Sequence, residues 1–556
     1  MPIKSTNTTT EITLTKNQLV EWYNNLDLSW KSILNFDIDK IEEEVQNFER
    51  LTLYEVILDF TAIQNLQFLT TIRFYRLTTL PELFGLEKLT NITSIGFFLS
   101  ESLTDIKHLE KLTQITSLEF QNCESLIDIT PLENLAQLTT LDFRGCKNLK
   151  DLSPLKSLEN LQDLDLGICG ELQNLHPLQN LHRLTKLNLS QSNKIVDLSP
   201  LKNLSSLISL NLSWCASVND IEPLRNLKQL TRLDLQCCTN LNNLSPIKNL
   251  PSLTSLKTNW SGNIHEMTFF RYLLNKLIFR RMTDNKSIDH DSIGNLVFLK
   301  SLSLSSSYNL TNIKYIENLK ELTNLDLSHC LKLVSISSIK DLLNLQILNL
   351  NGCKNIVDFK AIQNLKEIFE LDLGGCEKLK DLTPLQNIEK ISILNLSYCK
   401  NLSELKPLLN LKELTVLNLS NCQNLNDLST LTNLSLLTDL NLSGCNNLKI
   451  LPFIEKLTQI IKLNLSYCIT LNDLTFLQNL TELKELDLSG CRNLVDLTPL
   501  QSLYNLTSLV LFNCERIMDL SPLKNLKKLK SLTLDDRDNF NGLQDLKELK
   551  DLRIYH

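Results

Sequence analysis

LTTLDFRGCKNLKDLSPLKSLEN, residues 138–160, is one period of a pattern that fills most of the chain. With Leu138 as position 1, apolar side chains occupy positions 1, 4, 6, 12, 15, 18 and 21, and Cys146 takes position 9. The next 23 residues repeat this with Leu161, Leu164, Leu166, Cys169, Leu172, Leu175, Leu178 and Leu181. Fourteen of the fifteen cysteines lie on one 23-residue series from Cys123 to Cys514, and only Cys237 is off it. Four slots of the series hold Ser192, Ser261, Asp284 and Ser307 instead. No insertion or deletion breaks the count over these 18 slots. A fixed period of this length means stacked repeats rather than one globular core.

Positions 4 and 6 alternate with polar positions 3, 5 and 7, which is strand periodicity. One short strand per repeat, all parallel, builds a sheet with strands about 4.8 Å apart. Positions 12 to 22 return the chain on the opposite face, often through a Ser/Thr-Pro pair such as Ser153-Pro154, Ser199-Pro200 or Thr498-Pro499. Ser or Thr as N-cap with Pro at the first helical position predicts a helix start there. The few residues left before the next strand allow only one or two turns. The expected architecture is an α/β repeat solenoid, an arc with a concave parallel sheet and short helices or 3-10 turns on the convex face. Burying about eight side chains per repeat, at roughly 1.5–3 kcal/mol each, nearly cancels the ordering of 23 backbones. A single repeat therefore needs its neighbours, and the end repeats need caps. The register runs from Leu69 to Leu529, which makes 21 repeats and predicts an elongated monomer.

The pattern LxxLxLxxC resembles the leucine-rich repeat superfamily, from about residue 50 to the end of the chain. Repeat tails such as DLSPLKNL, 197–204, resemble the short SDS22-like and internalin-like class, with one residue more and Cys in place of Asn at position 9. The resemblance implies a protein-binding solenoid. Enzymes of this superfamily, such as repeat-bearing ubiquitin ligases, add a catalytic domain, for which this chain leaves no room outside residues 1–48.

The pattern also sets expected boundaries. Residues 1–14 are Thr-rich and polar and read as a disordered tail. Residues 15–48 lose the 23-residue pattern but carry Leu19, Trp22, Tyr23, Leu26, Ile33 and Leu34 at helical spacing, which predicts a helical N-terminal cap. The solenoid is expected over 49–540, degenerate at 260–298. A C-terminal cap with a last strand is expected over 541–556.

Net charge is −7 over 556 residues, too mild to point to nucleic acid or an anionic membrane surface. No apolar stretch reads as a signal peptide or a membrane span. Asn-Leu-Ser tripeptides such as those at Asn188, Asn211 and Asn395 would be awkward glycosylation acceptors inside strands. These features favour a cytoplasmic location, and a bacterial protein delivered into a host by a non-Sec route would share them.

Two readings of the cysteine row are open. One is a metal or redox ladder. The other, which fits Ser in the vacant slots, is a small buried weak donor that satisfies backbone where the chain leaves the strand. No CxxC pair occurs, and no His completes a zinc shell. Cys237, at position 8 and nearer solvent, is the one thiol to watch. Position 5 forms a row of Asp and Asn, among them Asp142, Asp165, Asn188, Asp234, Asp372 and Asn395. It is either a strip for a basic partner or a solvated ladder internal to the repeat. Position 14 is Asp in ten repeats, for example Asp128, Asp151 and Asp381, placed to accept turn N–H groups.

No nucleophile elbow, phosphate loop or HExxH motif appears, and the seven His are scattered. The chain is expected not to be an enzyme and to need no metal or cofactor. Its expected role is a non-catalytic scaffold or recognition protein that binds another protein, without nucleic acid or membrane insertion. The alternative is a regulatory or sensor subunit working with a separately encoded effector enzyme. Candidate contact residues are the bulky side chains at position 8, Trp214, Trp260, His329, Tyr398 and Tyr467, with Arg232 between the two tryptophans. The stretch 260–298 adds Phe269, Phe270, Arg271, Arg280 and Arg281. It reads either as a basic-aromatic recognition patch or as a degenerate repeat through which the stack continues. The rings at position 8 either meet a partner or fold back over the sheet edge.

Overall fold

In the described repeats a Leu or Ile at position 4 is buried between less buried positions 3 and 5, and each strand pairs in parallel with the same positions of a neighbouring repeat. The computed structural model describes residues 16–26, 31, 32, 34, 50–54, 69–77, 86–258, 290–447, 452–536, 540–547, 549 and 552–555. These fall into two compact units. The first runs to Leu230 and includes Cys238–Leu241; the second comprises Thr231–Cys237 and the chain from Asn242 onward.

The first unit begins with the helix α1 (Lys16–Asn25), which buries Leu19 and Tyr23 one turn apart, with Leu26 buried just past its end. Eight strands follow: β1 (Arg50–Tyr54), β2 (Thr71–Tyr75), β3 (Ser94–Phe98), β4 (Ser117–Gln121), β5 (Thr140–Asp142), β6 (Asp163–Asp165), β7 (Lys186–Asn188) and β8 (Ser209–Asn211). Each pairs in parallel with the next, with Leu141 opposite Leu164 and Leu164 opposite Leu187. A feature absent from the sequence expectations is an aromatic column at position 6. Phe74, Phe97, Phe120 and Phe143 are fully buried and stack with ring centroids 5.1, 5.3 and 5.4 Å apart. That spacing is close to the ~4.8 Å between strands, so the sheet itself sets the stacking distance.

The second unit opens with β9 (Arg232–Asp234) and β10 (Ser255–Lys257). One strand then recurs every 23 residues from β11 (Ser301–Ser303) to β21 (Ser531–Thr533), through β12 (Asn324–Asp326), β13 (Ile347–Asn349), β14 (Glu370–Asp372) and β15 (Ile393–Asn395). The short helix α2 (Leu543–Lys547) and β22 (Arg553–Tyr555) end it. Residues 259–289 of the stretch expected to be degenerate lie outside the described residues. On either side of them β10 pairs with β11, Ser255 opposite Ser301, and the Thr258 N–H donates to the Ser303 carbonyl at 3.0 Å.

The described return segments from Leu86–Lys88 to Ser521–Asn525 are 3-10 helices, as the short spacing requires. Their start differs from the expected Ser/Thr cap. In Ser153–Ser157 the residue before the helix is Leu152, which offers no side-chain cap, and Ser153 is already the first helical residue. The cap is the position-14 carboxylate: Asp151 Oδ1 accepts the Ser153 N–H at 2.8 Å, and the Ser153 hydroxyl donates to the same oxygen at 2.6 Å. Asp197, Asp381 and Asp473 repeat this geometry on Ser199, Thr383 and Thr475. These hydrogen bonds hold the carboxyls of Asp151, Asp197 and Asp381 below the ordinary Asp range.

The cysteine row is an internal hydrogen-bond ladder. Cys146 Sγ lies 3.0 Å from the Phe120 carbonyl, position 6 of the preceding repeat, and Cys376 Sγ lies 3.3 Å from that of Leu350. All fourteen cysteines of the series make this contact within their own unit. Ser192 makes it with Oγ, 3.0 Å from the Leu166 carbonyl. The second of the two readings of the row, a buried donor to backbone, is the one observed. All fifteen cysteines are buried and none is in a disulfide. Burial pushes the thiols up, Cys123 and Cys353 to about 12, so they stay protonated and able to donate.

Candidate functional site

Position 8 is where the backbone leaves the strand, and it does so in the left-handed conformation in every repeat described from Arg76 to Asn513. All thirteen non-glycine residues with positive φ among the described residues fall on this row, including Trp214 (64°), His329 (57°), Tyr398 (57°) and Tyr467 (56°). Five of the six positive-φ glycines, Gly145, Gly352, Gly375, Gly444 and Gly490, fall on it too. The backbone ladder pins the turn: the position-8 N–H donates to the position-7 carbonyl of the next repeat, as from Gly352 to Gly374 at 2.7 Å and Tyr398 to Ser420 at 2.8 Å. A side chain other than Gly or Asn costs roughly 1–2 kcal/mol at such a residue. Bulky residues held there mark the row as a place to look for function.

Side chains on this row lean over the next repeat. A Cβ built on Gly352 would lie 2.5 Å from His329 Nδ1, and one on Gly490 would lie 2.6 Å from the Tyr467 ring. Glycine therefore does two things at position 8: it accepts the left-handed turn, and it makes a notch for the preceding ring.

In the second unit the row reads His329, Gly352, Gly375, Tyr398. Two side chains stand three repeats apart, roughly 14 Å at strand spacing, with two glycines between them. The result is a hollow of about 850 Å³ on the strand-exit edge, walled by His329 and Tyr398 and floored by Gly352 and Gly375. Tyr308 and Asn309 close one end. Its loop side carries Lys332, Lys354, Glu377 and Lys400. Glu377 lies between two of these cations, 3.4 Å from Lys354 and 3.7 Å from Lys400. Three ammonium groups thus face one carboxylate.

The position-5 row beside the hollow is occupied internally. Asp372 accepts the Gly374 N–H at 2.8 Å, Asn395 Nδ2 at 2.9 Å and Asn351 Nδ2 at 3.2 Å. Elsewhere Asp165 accepts the Gly167 N–H, and Asn188 Nδ2 donates to both Asp165 oxygens at 2.9 Å. Burial raises the carboxyls of Asp142 and Asp234 above the ordinary Asp value. Of the two readings of this row, the geometry favours the ladder internal to the repeat.

Among the residues singled out in the sequence, His329 and Tyr398 come together in the hollow. Tyr398 is 53% and Tyr467 54% exposed, and Tyr467 stands apart over its own notch at Gly490. Trp214 is 38% exposed in the first unit, and Arg232 is exposed on β9 in the second. Trp260, Phe269, Phe270, Arg271, Arg280 and Arg281 lie outside the described residues. Cys237 is corrected: it is only 2% exposed rather than near solvent, and burial pushes its thiol up to about 12, so it is no reactive nucleophile. Sequence reasoning missed Gly352 and Gly375 and the lysine–glutamate set behind them. A signal was present, since five of the chain's thirteen glycines sit at position 8.

No group of three or more His, Cys, Asp or Glu able to hold a metal ion occurs among the described residues. None of the described helices is long and apolar enough to cross a membrane.

Two family models match the chain. One, described as the BspA type leucine rich repeat region, matches in six copies over residues 47–165 and 261–403. The other, Zer-1-like leucine-rich repeats, matches residues 474–549. No curated protein matches. Among solved structures, an internalin of Listeria monocytogenes is 22% identical with a TM-score of 0.44, over 74% of this chain and 100% of its own. A leucine-rich repeat protein of Leptospira interrogans is 19% identical with a TM-score of 0.42, over 94% of this chain and 98% of its own. A plant peptide hormone receptor in complex with RGF2 is 15% identical with a TM-score of 0.38, over 91% of this chain and 90% of its own.

Proposed function

The chain belongs to the leucine-rich repeat superfamily, and on that premise we propose that it is a non-catalytic binding protein that captures another protein on the strand-exit edge of its second unit. The observation that carries this reading is the hollow between His329 and Tyr398. Two large side chains occupy strained left-handed positions there, and the two positions between them are glycine. Folding alone favours Gly or Asn at all four. Rings projecting beside an open floor give a partner both an anchor and a slot, the arrangement of a binding hot spot.

The same reading places the protein in a reducing compartment, consistent with the cytoplasm. Its support is the thiol ladder, in which each S–H is used as a donor to backbone, so that oxidation would break the bond it makes. We take the chain to act as a monomer, with no cofactor.

The test is differential capture. The full chain and its His329→Ala/Tyr398→Ala variant are immobilised, exposed to lysate of the source organism, and the retained proteins are compared by quantitative mass spectrometry. A protein retained by the first and lost by the second, with circular dichroism unchanged, is the expected result. Identical retention by both would remove the hollow as the binding site.

A further inference from the structure

The hollow has a chemistry as well as a shape. Its loop side is a row of three lysines against one glutamate, and that glutamate is already shared between Lys354 and Lys400. Lys332, exposed, has no ion-pair partner among the described residues. The strand-face carboxylate Asp372 is held by three hydrogen bonds from its own neighbours and does not line the hollow. The rest of the lining holds no Lys, Arg, Asp or Glu: it is Gly352 and Gly375, Asn309, Leu331, Asn351 and Ser397, with Tyr308, His329 and Tyr398. The site therefore joins a cationic rim to an open, glycine-floored slot between rings.

We infer that the occupant of this hollow is an acidic segment of a protein, with carboxylates against Lys332, Lys354 and Lys400 and an aromatic side chain laid on the floor at Gly375, beside the His329 imidazole that covers Gly352. This rests on the protein-binding reading above and adds the partner's chemistry to it. Charge complementarity selects an anionic segment over a basic one. The slot selects a peptide over a nucleic acid. A phosphate backbone would gain three cations here but would approach a chain of net charge −7, which lacks the extended basic stripe such a ligand needs. The floor at Gly375 accepts a ring because no side chain projects from it, whereas Gly352 is already covered by the His329 imidazole. Tyr398 supplies one wall and the His329 imidazole the other.

The experiment uses the full chain and four defined probes: random copolymers of Glu and Tyr and of Lys and Tyr, polyglutamate, and a single-stranded oligothymidine. Affinities are measured by interferometry on immobilised protein at fixed ionic strength. The Glu–Tyr copolymer should bind saturably, and polyglutamate on the order of tenfold more weakly for want of the ring. The Lys–Tyr copolymer and the oligothymidine should not compete. Lys332→Glu/Lys354→Glu/Lys400→Glu should weaken the Glu–Tyr copolymer by on the order of tenfold or more, with a reduced salt dependence. The lysine heads are exposed, so this variant is expected to fold, and circular dichroism checks that it does. Unchanged binding by the lysine variant, or preference for the Lys–Tyr copolymer or the oligothymidine, overturns the acidic assignment. The His329→Ala/Tyr398→Ala variant separates the two levels of the argument. If it loses the copolymer while the lysine variant keeps it, the hollow binds protein but not by charge. If neither variant changes anything, both the acidic assignment and the choice of this site fail.

Discussion

The imidazole of His329 lies over the Cα of Gly352, so that a methyl group there would stand 2.5 Å from Nδ1. This pairing of one repeat's side chain with the next repeat's glycine couples two positions 23 residues apart. Gly352→Ala meets two obstacles, the left-handed backbone (φ 73°) and the ring. It should cost about 1–3 kcal/mol. In a His329→Ala background only the backbone part remains, so the second cost should be smaller by on the order of 0.5–1 kcal/mol. A double-mutant cycle in urea measures the difference. Strict additivity would mean that the ring moves aside freely.

Strain at position 8 can be relieved without touching the core. His329→Gly and Tyr398→Gly each remove a left-handed penalty and add chain entropy to the unfolded state, for a net stabilisation of about 0–1 kcal/mol. The same substitutions should abolish capture of the partner. Thermal melting and the capture assay read the two effects separately. A clear fall in melting temperature would show that the side chains hold the turn together rather than wait for a ligand.

The ladder makes a sharp distinction between serine and alanine. Cys376→Ser keeps a donor in place, as Ser192 does naturally at 3.0 Å from its carbonyl. It should be nearly neutral, within about 1 kcal/mol. Cys376→Ala removes that donor, leaves the Leu350 carbonyl with the Cys353 N–H alone, and should cost about 1–2 kcal/mol for the lost bond and the small cavity. Urea unfolding followed by circular dichroism ranks the three. Equal stability of the serine and alanine variants would reduce the row to simple packing.

Alkali should unfold the protein through its thiols. The folded values are raised from the ordinary 9.0, to about 12 at Cys123 and Cys353 and about 11 at Cys422. Above pH 9 the unfolded chain loses these protons while the folded chain keeps them. The stability is therefore complete below pH 9 and is lost as pH rises toward the folded values. Each rung contributes a slope of up to about 1.4 kcal/mol per pH unit. Far-UV circular dichroism should show cooperative loss within roughly one to two units above pH 9. Replacing Cys353, Cys376, Cys399 and Cys422 together by Ser should move that transition upward. A midpoint that ignores this replacement would assign the alkaline lability to other groups.

The sequence reveals some of these features and hides others, for physical reasons. Leu141, Leu164 and their equivalents announce strands because burial repeats with the backbone. Asp151 and Asp381 announce capped turns because a short carboxylate before an N–H-rich turn has few other uses. Cys146 and Ser192 announce a donor because the only shared property of the two is a small group with a hydrogen to give. Position 8 is hidden. Its conformation is imposed by hydrogen bonds to the next repeat, so Trp214, Ile168 and Tyr398 occupy it as well as Gly352, and side-chain type no longer reports φ. The start of the 3-10 helix at Ser153 is misread for a related reason, because Ser next to Pro looks like a cap when Asp151 has already taken that role. The direct pairing of Ser255 with Ser301 is hidden because a kept 23-residue period does not say which strands pair. Of the hollow, the two walls are legible and the floor is not.

The sulfur-to-carbonyl bonds of the second unit all run one way, from each repeat back to the one before it, from Cys330 on Leu304 to Cys514 on Leu488. A stack wired in this manner has a mechanical direction. Peeling from the C-terminal end removes a donor and uncovers a carbonyl that water readily takes over. Peeling from the N-terminal end removes the acceptor and leaves a thiol still sheltered by the repeat behind it. Under load applied at its two ends, the chain should therefore yield first from its C-terminal side, one repeat at a time, like a zip fastener with a single slider.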